Sequence, residues 1–583
     1  MASKRHHSSR GFLESENGAI RKSWKNRLKI ALVYPNRYAV GMSNLGFQTL
    51  YRLFNAYDAI VCERAFLPEA SAAQNVPITT VESGHPLIDF DIVAFSVSFE
   101  NDYLNILSIL NQAALPLKAV HREPPFPLVL AGGVACMLNP EPLSPFIDCF
   151  LIGEAESLLD NFLNTFDPGK DRRSLLKQIA RDVPGAYVPR FYSACYHDDG
   201  TLRSFDPVAE VPARVIRQAP GDLSNIPTNS AVLTPFTTFD ATCLVEVSRG
   251  CPHGCRFCSA GYIYRPPRFR SLDLLKGCLE EGARRTDRIG LVGAAVSDLP
   301  EIDTLCRQAC DKDIRLSFSS FRADALTPEL LAVLKKSRVK TATIAPDAGS
   351  QRMRDVINKG ISEDTILAAT RTLVSAGIPN LKLYFMVGLP FEDPSDIDAI
   401  VSLCLKIRRC FLEASRPVGR IGQITVSISS FVPKPFTPFQ WVAMHPSARL
   451  KKNIRHIRKG LASIANIRIS SDNPRRAFIQ ALLSRGDRRV GELLELAHRH
   501  NGNWPRAIKE SSLVPDFFVL RERSTDEKLP WDFIDSGIDT KYLIREFRRA
   551  AKGRTTPVCS PGTCRLCGAC DGAAPESLVA APS

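Results

Sequence analysis

The chain has 583 residues, 44% of them apolar, with 17 cysteines and a formal net charge of +14. This length implies several domains with packed cores, and the positive charge makes RNA one candidate partner. No apolar run approaches the roughly 18 residues that span a bilayer, and the polar first residues lack the apolar segment of a secretion signal, so we expect a cytoplasmic protein with reduced cysteines.

The first part of the chain, residues 27–165, alternates short apolar strands with helical patterns. Strands are predicted at 27–33, 92–97, 128–131 and 150–152, with helices at 41–54 and 101–112. Short buried strands separated by helices are typical of a doubly wound, Rossmann-like α/β domain. A basic, disordered tail is expected at residues 1–26.

Residues 166–237 are predicted to be a linker, marked by Pro220, Pro227 and Pro235. The next domain, residues 238–445, carries six further strand patterns, at 244–247, 289–292, 314–318, 340–344, 382–387 and 421–428. Helical stretches between them indicate a partial, TIM-like (β/α)6 barrel of parallel strands. In such folds the loops at the carboxyl ends of the strands build the site.

Three cysteines, Cys251, Cys255 and Cys258, follow the first barrel strand on one tight loop. Three thiolates can bind three irons of a four-iron cluster and leave the fourth iron open to a small molecule. A zinc site is the alternative, but structural zinc sites close with a fourth protein ligand, and no fourth cysteine follows at a matching distance. The spacing therefore favours a [4Fe-4S] cluster.

This cysteine spacing, together with Phe257, resembles the signature of radical S-adenosylmethionine (SAM) enzymes. The runs at 245–251, 260–268, 345–350 and 430–436 resemble one subfamily of them, which carries an N-terminal cobalamin-binding-type domain. The resemblance implies that SAM chelates the open iron and is cleaved reductively to start radical chemistry. It identifies no substrate.

The resemblance also implies residues that contact SAM. Phe257 takes the position of an aromatic residue beside the adenine. The strand-end stretch after residue 292 lacks the Glu by which relatives hold the SAM amino group. That contact is therefore assigned to the backbone of Gly293 and Ala294 or to Asp298.

Two further strand ends are assigned to the cofactor in the same way. Ser320 and Arg322 follow the third barrel strand, and Arg322 is the candidate for the SAM carboxylate, with an ordinary salt bridge as the alternative. Gly388 ends the fifth strand, where it lets the backbone approach a ligand or simply forms a turn. Asp347 stands where relatives usually have Glu.

The loops of the first domain resemble those that surround cobalamin in related proteins. They contain Asn36 and the stretches 41–46, 96–100, 132–133 and 153–154. No Asp-x-His-x-x-Gly motif occurs, so no lower-axial histidine is expected from it. The domain either binds cobalamin without that ligand or is a structural relic.

The last part of the chain is predicted to be helical over residues 446–552, with helices at 450–465, 475–484, 489–498 and 542–551. A metal site follows at residues 553–575, formed by Cys559, Cys564, Cys567 and Cys570. Four thiolates can hold zinc or saturate an iron-sulfur cluster, and the C-x-x-C-x-x-C run favours the cluster. Residues 576–583 are expected to be a disordered tail.

The sequence therefore predicts a radical SAM enzyme with an unidentified substrate, and two other functions are alternatives. It would need a reducing donor such as flavodoxin or ferredoxin and would not bind a membrane. The charge and the second cysteine group favour, as an alternative, modification of tRNA or another macromolecule in the manner of a methylthiotransferase. A non-catalytic iron-sulfur scaffold is the third function.

Overall fold

A computed structural model describes residues 9–68, 77–319 and 322–570 of the chain. The fold is mixed α/β, with two units built on parallel sheets and a helical C-terminal region. Across these ranges, no helix combines the length and the apolar content needed to cross a lipid bilayer.

The first unit is a six-stranded sheet in the order β2-β1-β3-β4-β5-β6. Its strands are β1 Leu28–Tyr34, β2 Ile60–Phe66, β3 Ile92–Ser96, β4 Leu128–Gly132, β5 Cys149–Leu151 and β6 Ala186–Tyr187. All neighbours are parallel except β6, which runs antiparallel to β5. The doubly wound sheet is confirmed, with two more strands, β2 and β6, than the sequence predicted.

Helices pack around this sheet. They are α1 Ser9–Glu14, α2 Tyr38–Gly41, α3 Leu45–Ala56, α4 Tyr103–Gln112, α5 Val134–Leu138, α6 Leu159–Thr165 and α7 Arg172–Asp182. The helix predicted at 41–54 corresponds to α3, which begins only at Leu45 because the Asn44 side chain accepts a hydrogen bond from the Phe47 N–H and caps the helix there.

Two segments predicted to lack structure are folded. In the predicted tail, residues 9–26 pack on the first unit: the Phe12 ring stacks on Tyr38 at 3.9 Å, and Glu16 forms a fully buried ion pair with Arg64 at 2.6 Å. The predicted linker contains α7, β6 and an antiparallel hairpin of β7 Tyr192–Tyr196 and β8 Leu202–Pro207. The expected tail at 576–583 and residues 1–8 lie outside the described residues.

The second unit consists of seven parallel strands in two sheets, one of three and one of four strands. After the short strand β9 Val215–Ile216, the strands of this part are β10 Cys243–Glu246, β11 Ser248–Arg249, β12 Arg268–Phe269, β13 Arg288–Val292, β14 Arg315–Phe318, β15 Thr341–Asp347, β16 Asn380–Val387, β17 Ile424–Ser430 and β18 Ile467–Ser471. The sheets are β10-β13-β14 and β15-β16-β17-β18, and β11 and β12 form a small antiparallel ribbon. The predicted count of six strands is corrected to seven by β18, which lies in the stretch predicted to be helical.

The helices of the second unit and of the C-terminal region complete the fold. They are α8 Leu272–Ala283, α9 Ile302–Asp311, α10 Pro328–Lys336, α11 Gln351–Val356, α12 Glu363–Ser375, α13 Pro394–Ser415, α14 Ser447–Leu461, α15 Pro474–Arg485, α16 Val490–Arg499, α17 Trp504–Glu510, α18 Pro515–Val519 and, after strand β19 Ile534–Asp535, α19 Thr540–Ala551. The C-terminal region joins the two units, since α16 packs on α4 and β19 pairs with β9. One continuous apolar core runs through both units.

Candidate functional site

The first cysteine loop begins directly after β11, beside the carboxyl end of β10. Gly250 has a φ of +89°, and a Cβ there would lie 2.6 Å from the Tyr264 carbonyl oxygen, so only glycine fits this turn. The Cys258 N–H donates to the Cys255 carbonyl at 3.0 Å and tightens the loop further. Cys251, Cys255 and Cys258 are all partly exposed on this loop.

The loop is held from two sides. The Gly254 carbonyl accepts hydrogen bonds from the Tyr262 hydroxyl and the Asn358 amide, both at 3.1 Å. Arg256 is fully buried, pairs with Glu546 of α19 at 3.0 Å and donates to the Val356 carbonyl at 2.8 Å. Contacts with α11 and α19 therefore fix the position of the three thiols.

The three cysteines fit an iron-sulfur cluster in number and in chemistry. Burial raises the pKa of Cys251 to about 12 and that of Cys255 to about 11, and it raises the pKa of Cys258 as well. Such thiols become ligands when a strongly positive centre displaces their protons. Within the described ranges no three Cys, His, Asp or Glu side chains are arranged around a single metal ion, so the assignment rests on donor type and loop position.

Charged side chains next to the loop are paired with one another. His253 Nε2 lies 2.7 Å from Asp298 Oδ2, and Lys359 Nζ lies 2.6 Å from Asp347 Oδ2. Arg322, a candidate for the SAM carboxylate, donates through Nε and Nη2 to Asp324, both at 2.9 Å. The structure thus shows the salt bridge that was the alternative at Arg322, and it brings His253 and Lys359 to the site, which the sequence did not single out.

A cavity of about 540 Å³ lies between the two units. Strand-end residues of both units line it, among them Ser96, Gly132 and Gly153 from the first unit and Gly250, Ala260 and Gly293 from the second. Ala294, which was assigned with Gly293 to the SAM amino group, also lines it. The cavity therefore adjoins both ends of the cysteine loop.

This cavity is not lined by the other described residues that are predicted to contact SAM, which are Phe257, Asp298, Arg322 and Gly388. Phe257 packs against an apolar cluster that includes Met353 and Leu389. Gly388 has a φ of +82°, and a Cβ there would lie 2.5 Å from Leu450 of α14, so packing against that helix requires glycine. Ser320 lies outside the described residues. These assignments remain predictions.

A buried ion network joins the first unit to the base of the cysteine loop. The Glu154 carboxylate is 2.5 Å from both Arg249 and Arg268, and its side chain is only 4% exposed. Arg249 also pairs with Glu156 at 3.0 Å and with Glu246 at 2.8 Å. Because Arg249 stands two residues before Cys251, Glu154 of the first unit helps to position the loop. Sequence reasoning noted the 153–154 loop but not this role.

The second cysteine group lies against the first cysteine loop. The Cys559 N–H donates to the Pro252 carbonyl at 2.9 Å, and the Cys567 carbonyl accepts from the Asp539 N–H at 2.9 Å. Cys559, Cys567 and Cys570 are buried and Cys564 is half-buried. None of the 17 cysteines, all of which lie in the described residues, forms a disulfide.

Comparison with known proteins matches two family models to the chain. Residues 46–189 match the N-terminal domain of radical SAM proteins, and residues 245–404 match the radical SAM superfamily. An uncharacterized protein of Methanocaldococcus jannaschii is 31% identical over 490 residues, which cover 84% of this chain and 95% of that protein.

Two more distant similarities were found. An uncharacterized methyltransferase of Pyrococcus horikoshii is 22% identical over 295 residues, 48% of this chain and 58% of that protein. Among solved structures, the radical SAM methyltransferase TsrM from Kitasatospora setae, with cobalamin and a [4Fe-4S] cluster bound, is 13% identical with a TM-score of 0.44 over 82% of this chain and 97% of its own.

Proposed function

Because the chain belongs to the radical SAM superfamily, we propose that it binds a [4Fe-4S] cluster at Cys251, Cys255 and Cys258 and acts on a substrate held in the cavity between its two units. The observation that carries this proposal is the shared cavity, whose wall includes Gly250 and Ala260 on either side of the cysteine loop. Its volume of about 540 Å³ is in the range of small-molecule sites.

The cluster and SAM, when bound, supply the reductive cleavage of SAM that begins radical chemistry. The residues of the chain position the reactants. Gly293 is fixed by the Ser319 hydroxyl, which accepts from the Gly293 N–H at 3.2 Å and donates to its carbonyl at 3.1 Å. Its backbone is therefore held at the cavity wall, where the SAM amino group is proposed to bind.

We propose that cobalamin is the second occupant of the cavity. Support comes from the first unit: four of the loops expected around cobalamin contribute Gly46, Ser96, Gly132 and Gly153 to the lining. No histidine is among the residues that line the cavity. A bound cobalamin would accordingly lack an imidazole from this wall.

Hydroxocobalamin should be retained by the wild-type protein after desalting, with the visible spectrum of a base-off form. Ala155 lines the cavity and is half-buried, so Ala155→Trp should fill part of the space and lower the retained cobalamin by about tenfold or more. Ala155→Ser is the matched control and should bind like the wild type. If the wild-type protein retains no cobalamin, the first unit is a structural relic and the cavity is left to the substrate.

The C-terminal cysteines are proposed to saturate a second metal centre, an auxiliary cluster or zinc, that does not bind SAM. Truncation after Arg554 should leave the first cluster assembled and remove about four irons or about one zinc per chain. A full-length variant with all four of these cysteines changed to Ser should lose the same metal while keeping the segment. Metal analysis of the three proteins side by side distinguishes the two metals, and equal metal content would mean that these cysteines bind none.

A further inference from the structure

The outer surface of α19 forms a strongly basic groove of about 490 Å³. Its lining consists of Ile544 and six basic residues, Lys541, Arg545, Arg548, Arg549, Lys552 and Arg554. No carboxylate is among the lining residues. We refer to this surface as the α19 groove.

Most of the positive charge of the α19 groove is not neutralised by the protein around it. Lys541, Arg548 and Lys552 are exposed and form no ion pair within the described ranges. The one carboxylate on the helix, Glu546, is buried and pairs with Arg256 at 3.0 Å and, among the groove residues, with Arg549 at 3.7 Å. The groove therefore presents a field that attracts an acidic partner.

The same helix contacts the segments of both cysteine groups, one of them through a residue of the groove. Arg545 donates to the Leu566 carbonyl at 2.9 Å, one residue before Cys567. The Tyr542 hydroxyl accepts from Arg265 at 3.2 Å, and Arg265 lies over the ring of Tyr262 next to the first cysteine loop. A partner bound in the α19 groove would thus be separated from both cysteine groups by α19 itself.

We propose that the α19 groove docks an acidic one-electron donor protein, a reduced flavodoxin or ferredoxin. The inference rests on the proposed function, because it is the radical SAM reaction that consumes the electron. The flavin or cluster of the donor is oxidised by one electron and the cluster at the first cysteine loop is reduced by one, without transfer of an atom or a proton. Radical SAM enzymes generally need such a donor.

Two observations favour a protein donor over RNA. The lining of the α19 groove includes no aromatic side chain on which a base could stack, although stacking platforms are usual in single-stranded RNA sites. Leu566, whose carbonyl accepts from Arg545 of the groove, is 48% exposed, and Val558 in the same segment of the C-terminal cysteines is 54% exposed. Charged residues around a small apolar contact suit a transient protein interface.

The test reverses the charge of three groove residues in the full chain, Lys541→Glu, Arg548→Glu and Lys552→Glu. The matched control reverses three exposed basic residues of α14, Lys451→Glu, Lys452→Glu and Arg455→Glu. Binding of oxidised flavodoxin and of oxidised ferredoxin is measured at low salt, independently of any activity. SAM cleavage is then followed with the reduced donor proteins and, separately, with dithionite.

We expect the groove variant to bind the donor about tenfold more weakly or worse, with a matching loss of donor-driven SAM cleavage. Its rate with dithionite should equal that of the wild type, and the α14 variant should behave as the wild type throughout. Unchanged donor binding in the groove variant would overturn the proposal. The proposal would also be overturned if a single-stranded RNA oligonucleotide bound the groove variant more weakly than the wild type while donor binding was the same in both. If the wild-type protein does not cleave SAM even with dithionite, the proposed function is overturned instead. The comparison of donor binding between the wild type and the groove variant would still show whether the donor docks in the α19 groove.

Discussion

Changing Cys251, Cys255 and Cys258 together to Ala is expected to abolish SAM cleavage. The physical reason is that these three thiolates are the proposed ligands of the cluster, so their loss would remove the site at which SAM is reduced. Formation of 5'-deoxyadenosine after anaerobic reduction with dithionite measures this, and the wild type should also show a cluster signal perturbed by SAM in electron paramagnetic resonance. The amount of 5'-deoxyadenosine formed by the triple variant should fall below the detection limit and not merely decrease in part.

The matched control removes two cysteines that belong to neither group. Cys195 and Cys310 are partly exposed, and the double variant Cys195→Ser with Cys310→Ser should retain both the signal and the activity. SAM cleavage that persists in the triple variant would refute the assignment of the cluster to this loop.

The largest expected effect on stability is that of Glu154→Gln. This change leaves Arg268 without the buried carboxylate that lies 2.5 Å from it, whereas Arg249 loses one partner and keeps its pairs with Glu156 and Glu246. Removing one partner of a buried ion pair typically lowers the free energy of unfolding by about 3–5 kcal/mol, because the remaining charge is left uncompensated. The midpoint of urea unfolding, followed by tryptophan fluorescence, should fall accordingly.

Glu210→Gln is the control for this experiment. Glu210 pairs with Lys177 at 3.1 Å, but its side chain is 86% exposed, so the change should cost about 0–1 kcal/mol. Equal shifts of the unfolding midpoint in the two variants would mean that the buried ion pairs of Glu154 contribute no more to the free energy of unfolding than an exposed ion pair.

Much of the fold could be predicted because it depends on local pattern. The six barrel strands expected from apolar, β-branched runs all exist, such as 382–387 within Asn380–Val387. The strands that were missed carry mixed patterns. Glu63 and Arg64 interrupt β2, and they are buried with partners that are distant in the chain: Arg64 pairs with Glu16, and Glu63 accepts a hydrogen bond from Trp24. In β18 the side chains are half-buried or exposed at the edge of a sheet, so no apolar run marks it.

The candidate site likewise has one part that depends on local sequence and another that depends on contacts between distant residues. The cysteine loop is local, so its spacing could be read from the sequence together with the neighbouring motifs that agree with it. The contacts that hold it join residues far apart in the chain: Glu154 and Arg249 are 95 residues apart, and Arg256 and Glu546 are 290 apart. Such pairs leave no periodic or spacing signal in one sequence, so neither could be derived from it.

The pairing of Arg256 with Glu546 also orders events during synthesis of the protein. Arg256 is made 290 residues before its partner, a delay of about 15–60 s at the usual elongation rates of about 5–20 residues per second. During this interval the cysteine loop has emerged, while the helix and the C-terminal segment that will cover one side of it do not yet exist. The three thiols are thus synthesised before the segment that covers one side of their loop.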